Sequence, residues 1–262
     1  MKMKMKIHRA VILVASAVLG VAFAPAHADT VAPSSLASSP GNAAGPAPIR
    51  YFGTGGSRVQ EVFSSSFFST GSQLLSAIQF RPTPGATPNA FSGATVNVSD
   101  IQVRLTTTSF LDESGTPLSS TFATNLGLGA QTVYSGALSL QTAATGSPVR
   151  DFDYTITLQT PFLYNPAAGN LLLDVLIPTT ATVSGTGFGF IAFDNVNTIN
   201  DGIYSVLDIN NGAALVGTAD TSGAIARFVG VSAVPEPETY AMMIAGLGVM
   251  GFFARRRKQK TV

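Results

Sequence analysis

Between positions 151 and 158 polar and apolar residues alternate without a break: Phe152, Tyr154, Ile156 and Leu158 are apolar, and Asp151, Asp153, Thr155 and Thr157 are polar. A period of two belongs to a strand with one wet face, because successive side chains point to opposite sides of a sheet. No stretch between residues 49 and 231 shows the 3.6-residue apolar repeat of a helix over a helical length. Short β-rich runs at 59–68, 73–81, 94–107, 131–140, 170–177, 185–193, 203–208 and 225–231 are instead separated by Gly, Pro, Asn and Ser. The run at 171–177 is apolar throughout except for Asp174 and stops at Pro178, which predicts a central strand covered on both faces. These features predict an all-β fold over residues 49–231: an antiparallel β-sandwich, with the jelly roll among its topologies.

Residue usage narrows the chemistry. From Asp29 to Glu238 there is no Cys, Met, Trp, His or Lys, and six Arg stand against all 14 acidic residues, a net charge of −8 under a whole-chain charge of +1. An acidic domain without Lys has no stripe of cations to neutralise phosphates, so nucleic acid is excluded as a partner. Without Cys or His it has no zinc site of the common kinds and no disulfide framework, and no cofactor is expected.

The ends differ sharply from this middle. Lys2, Lys4, Lys6 and Arg9 precede an apolar stretch at 10–23, and Ala26 and Ala28 frame a small-x-small site. Residues 1–28 therefore read as a secretory signal, with the Sec translocon and signal peptidase as partners and cleavage between Ala28 and Asp29. Residues 29–48 (Pro, Ser, Ala and Gly with no aromatic) read as a flexible leader, because they have little apolar surface to bury.

At the other end, Pro235-Glu236-Pro237 lies in a linker over 232–239, followed by an uncharged apolar stretch within 240–254 and then Arg255-Arg256-Arg257-Lys258 in a basic tail over 255–262. The prolines hold the chain extended, so a helix can begin only after them. The 15 residues from 240 to 254 cover about 22 Å as a helix, which is short for a bilayer core of about 30 Å and predicts a brief membrane hold. The cationic cluster would stay in the cytoplasm, leaving residues 29–238 outside.

The order of these pieces closely resembles the PEP-CTERM sorting domain of Gram-negative bacteria. The resemblance implies that an exosortase, a membrane-embedded cysteine protease, recognises Pro235, Glu236 and Pro237, with Arg255, Arg256 and Arg257 as the retention cluster. It further implies passage through the inner membrane to the outer envelope or extracellular matrix, in association with exopolysaccharide. Gly246-Leu247-Gly248-Val249-Met250-Gly251 spells a dinucleotide-binding fingerprint, but it lies in the apolar tail with no strand before it. The segment 161–175, with Asn165-Pro166 and Gly169 as its turn, is similar to strand-turn-strand pieces of exported bacterial β-sandwich modules.

Catalysis has few candidates. A serine nucleophile would lack a His or Lys base, and Asp151 with Asp153, the one carboxylate pair weighed on a strand face, is read as a solvated edge. Asp194, Asn197 and Asp201, and a second group at Asp208, Asn210 and Asn211, gather oxygen donors of the kind calcium takes. Asp and Asn before Gly are equally ordinary turn chemistry, and that reading is preferred. Tyr51, Tyr134, Tyr154, Tyr164 and Tyr204 could stack on a sugar, though aromatic residues in strands usually face a core. The preferred function is a non-enzymatic envelope or matrix protein. The alternative is a secreted carbohydrate-binding or calcium-dependent binding module with the same tail.

Overall fold

In the computed structural model of the chain, the described residues are 29–45, 48–49, 55–84, 94–111, 115–127, 129–143, 145–186 and 193–231, with Gly246, Leu247 and Met250 in the tail. One compact unit spans Ala26–Ser232. The second unit takes the two chain ends; its three described residues are helical and exposed.

The larger unit is built of antiparallel strands: β1 (Thr30–Ala32), β2 (Ala43–Gly45), β3 (Ser57–Phe63), β4 (Gln73–Phe80), β5 (Ala94–Thr108), β6 (Gln131–Thr142), β7 (Tyr154–Tyr164), β8 (Asn170–Ile177), β9 (Val183–Thr186), β10 (Phe193–Asn197), β11 (Ile203–Asp208), β12 (Thr218–Asp220), β13 (Ser222–Ala224) and β14 (Ala226–Gly230). The large sheet has the order β12-β11-β3-β8-β5-β6, with β9 also on β5. A second sheet runs β1-β14-β4-β7, and a small third one runs β13-β10-β2. The architecture is sandwich-like. Helix is confined, among the described residues of this unit, to short 3-10 turns and one α-turn at Phe122–Asn125.

Alternation places the core. Leu171, Leu173, Val175 and Ile177 of β8 join Phe63, Phe80, Ile101, Leu105, Ile156 and Phe228 in the main cluster. Leu172, on the opposite face of β8, packs instead with Val62, Val206, Leu118 and Phe122 under the segments that cross the outside of the large sheet. The unbroken apolar run of β8 is thus explained by cover on both faces, as its sequence predicts. Burying a side chain of the size of Phe122 contributes about 1.5–3 kcal/mol. Tyr154 and Tyr164 are fully buried and Tyr204 nearly so, which assigns these three to core packing.

Three expectations are corrected. Residues 29–45 are an ordered part of the fold: β1 pairs with β14, β2 pairs with β10, and Ala32 is buried. Composition misses this because the segment is held by backbone pairing, which needs few apolar side chains. The run that alternates from 151 becomes a strand only at Tyr154, because Asp151 and Asp153 bind the preceding turn. Residues 185–193 are not described as one strand; β9 ends at Thr186, β10 begins at Phe193, and 187–192 lie outside the described residues.

Candidate functional site

The last strand delivers the tail. β14 lies between β1 and β4, with Phe228 against Phe63 at 5.1 Å and Phe68 at 5.4 Å between ring centres. Phe68 in turn meets Tyr164 edge-on at 4.8 Å. On the outer face the Arg227 Nε donates to Gln79 Oε1 at 2.6 Å and its guanidinium lies 5.1 Å from the Phe152 ring centre. Pairing continues one residue past the strand, where Val231 N donates to Leu74 O at 2.7 Å. Val231 thus ends a strand that is paired on both sides.

Among the described residues three carboxylates are buried, each handled differently. Asp174 accepts from Gln60 Nε2 at 2.8 Å, Arg58 Nε at 3.2 Å and Arg104 Nε at 2.7 Å. The register explains this, since Gln60 and Arg104 are the residues opposite Asp174 on the two neighbouring strands. Gln60 continues the network to Asn125, whose amide also holds Ser119, and so fastens the Phe122 turn to the sheet. Asp194 accepts from Arg81 Nε at 2.8 Å and Gly41 N at 3.0 Å, while Arg81 Nη2 donates to Leu36 O and Ser39 O. Burial raises the Asp194 carboxyl and lowers the Arg81 guanidinium against their mutual attraction.

Glu61 forms no ion pair among the described residues. Its Oε1 accepts from Ala224 N at 3.1 Å and its Oε2 has no hydrogen-bond partner among the described residues. Burial, opposed by the Ala224 hydrogen bond and aided by Asp220, pushes its carboxyl up to about 8. Such a group is protonated at neutral pH and behaves as a polar wedge in the core.

Residues 233–258 match the PEP-CTERM protein-sorting motif. The chain carries a PEP-CTERM sorting tail. That tail marks an exported protein, sorted by an exosortase-type system through the cell envelope. No curated protein matches the chain. The motif begins at the residue after Ser232, so almost no spacer separates the β unit from it.

Of the motif's expected residues, Pro235, Glu236, Pro237, Arg255, Arg256 and Arg257 lie outside the described residues, as does Ala28 at the expected cleavage site. Asp29, the expected new N-terminus, is exposed and adjoins β1. Among the described residues no helix is long and apolar enough to cross a membrane.

The remaining candidates are placed as follows. Asp194 is engaged by Arg81 and Gly41, Asn197 Oδ1 accepts from Thr221 Oγ1, and Asp201 Oδ1 accepts from Ile203 N. Each calcium candidate thus has a partner within the fold, and no group of three His, Cys, Asp or Glu among the described residues could hold a metal. Asp208 Oδ1 accepts from Asn210 N and Asn211 N, the turn chemistry preferred for that group. Asp151 accepts from Thr145 and Asp153 from Thr142 and Ala143, so both close one loop. Glu61 and Arg81 were not singled out by the sequence. The one visible signal was their charge inside β-rich runs.

Proposed function

We propose that this is a non-enzymatic protein of the outer envelope or extracellular matrix of a Gram-negative bacterium, exported through Sec and freed of its signal after Ala28. Its apolar stretch at 240–254 holds it briefly in the inner membrane, where an exosortase-type protease recognises Pro235, Glu236 and Pro237 before release toward exopolysaccharide. The observation that carries this reading is the PEP-CTERM match beginning directly behind the last strand of the β unit. The non-enzymatic part is supported by a middle without His, Lys or Cys, and by carboxylates engaged in core or turn contacts.

The test replaces Pro235, Glu236 and Pro237 with Ala in a host with an exosortase. Hydrophobicity and the Arg cluster are retained, so a plain anchor would not register the change. A sorted protein accumulates unprocessed in the inner membrane, whereas wild type loses its C-terminal Arg cluster. If wild type and variant have the same C-terminal mass and the same fractionation, the sorting role is wrong. N-terminal sequencing of the exported form should begin at Asp29.

A further inference from the structure

We infer that Leu74, Leu163 and Val231 form a lipid-contact patch that lays the β unit against the membrane surface while the tail still holds the chain. The inference rests on the membrane hold proposed for residues 240–254. Leu74 and Leu163 are directly opposite each other on β4 and β7, and Val231 is hydrogen-bonded to the Leu74 carbonyl. Their inward neighbours Leu75, Phe162 and Tyr164 are buried, yet these three remain 38%, 64% and 37% exposed. Adjacent exposed aliphatic side chains on an outer sheet face are the feature that marks a contact surface.

Where the chain ends leave identifies the occupant. β1 runs antiparallel to β14 with Thr30 opposite Phe228, so Asp29 and Val231 stand at the same end of the same sheet, beside the patch. The apolar stretch of the leader ends at Phe23, six residues before Asp29, a span of at most about 20 Å. The apolar stretch of the tail starts at residue 240, nine residues after Val231, at most about 30 Å away. The tail thus keeps this end of the unit within reach of the bilayer, as the leader does until its cleavage after Ala28. The loops at this end, 64–72 and 165–169, contain no charged residue, and the described charges there are Asp29, Asp201 and Asp220. With no cation among them, the contact is apolar and should persist in salt.

The chain has no Cys, so single reporters can be introduced cleanly. Full chains with Leu163→Cys or Leu215→Cys, each labelled with bimane, are reconstituted into phosphatidylcholine vesicles with nitroxide headgroups. Leu215 is 76% exposed and its carbonyl accepts from Phe122 N over the outer face of the large sheet, away from β4 and β7, making it the water-side control. The label at 163 should lose roughly half its fluorescence to the nitroxide, and the label at 215 almost none. Adding Leu74→Asp should reduce the loss at 163 to the level at 215. Equal quenching at the two sites, or quenching that survives Leu74→Asp, would overturn the patch. A spectral shift at 163 that needs no lipid and grows with protein concentration would assign the patch to a second copy and overturn it too. Failure of the chain to float with vesicles would sink the membrane hold itself, an outcome distinct from floating with residue 163 in water.

Discussion

Asp194 and Glu61 are both carboxylates buried in a β-rich core, and they are held by opposite means. Asp194 has Arg81 at 2.8 Å and a backbone donor from Gly41. Glu61 has one backbone donor, and Ser205 and Leu173 are its neighbours across the sheet. The first is paired with a guanidinium that fastens residues 36–41 to the body of the unit. The second avoids charge by keeping its proton. A buried ion pair gains little over an apolar core, because desolvation offsets the attraction, but removing one partner leaves a buried charge. A buried neutral acid costs less while protonated, and its cost rises with pH.

The largest effect should come from titrating Glu61. Its carboxyl is near 8 in the fold and near 4.5 when unfolded, so the folded state binds the extra proton between those values. Stability is fully present below about pH 4.5 and falls as pH rises to 8, at ~1.4 kcal/mol per pH unit and by up to ~5 kcal/mol in all. Glu61→Gln mimics the protonated acid and should flatten that decline. Chemical denaturation at pH 5, 7 and 9 compares the two, and parallel curves would mean that Glu61 is not the titrating group.

Breaking the other carboxylate's pairing should have the next largest effect. Arg81→Ala should lower stability by about 3–5 kcal/mol, since Asp194 stays buried without its cation. The double variant Arg81→Met with Asp194→Leu should lose less than Arg81→Ala alone, which would separate the cost of an orphan charge from the value of the pair. Urea melts of all three decide it, and simple additivity would contradict the paired reading.

A smaller change probes the strap itself. A Cβ at Gly41 would sit 2.0 Å from Asn195 O, a backbone atom that has no rotamer by which to retreat. Gly41→Ala should cost about 1–3 kcal/mol and increase proteolysis within residues 33–42 before the rest of the unit opens. Unchanged protease sensitivity there would show that the strap is held mainly by β1 and β2.

Much of the fold was legible because period and punctuation are local. The alternation from Tyr154 to Leu158, the run of β8 with Asp174 as its one polar member from 171 to 177, and the Asn165-Pro166 turn each appear where the sequence places them, and Asn165 Oδ1 accepts from Ala167 N as an Asx turn should. The leader was misread because its order comes from partners far away in the chain. Asp151 and Asp153 were misread because a polar residue in an alternating pattern looks the same whether it faces water or binds a neighbouring turn. The candidate site divides in the same way: the tail is a linear motif and is legible letter by letter, whereas the patch at Leu74, Leu163 and Val231 exists only once three strands are laid side by side.

The sequence by itself determined the β class, the acidic middle without Cys, His or Lys, and the sorting tail, since each depends on composition or on neighbours within a few residues. Only the tertiary structure decided that Arg81 meets Asp194 across 113 residues, that Glu61 is enclosed with no cation beside it among the described residues, and that Asp29 and Val231 stand at one end of one sheet. Those outcomes depend on which strands become neighbours and in what register, and a shift of one residue would turn every one of these side chains to the other face.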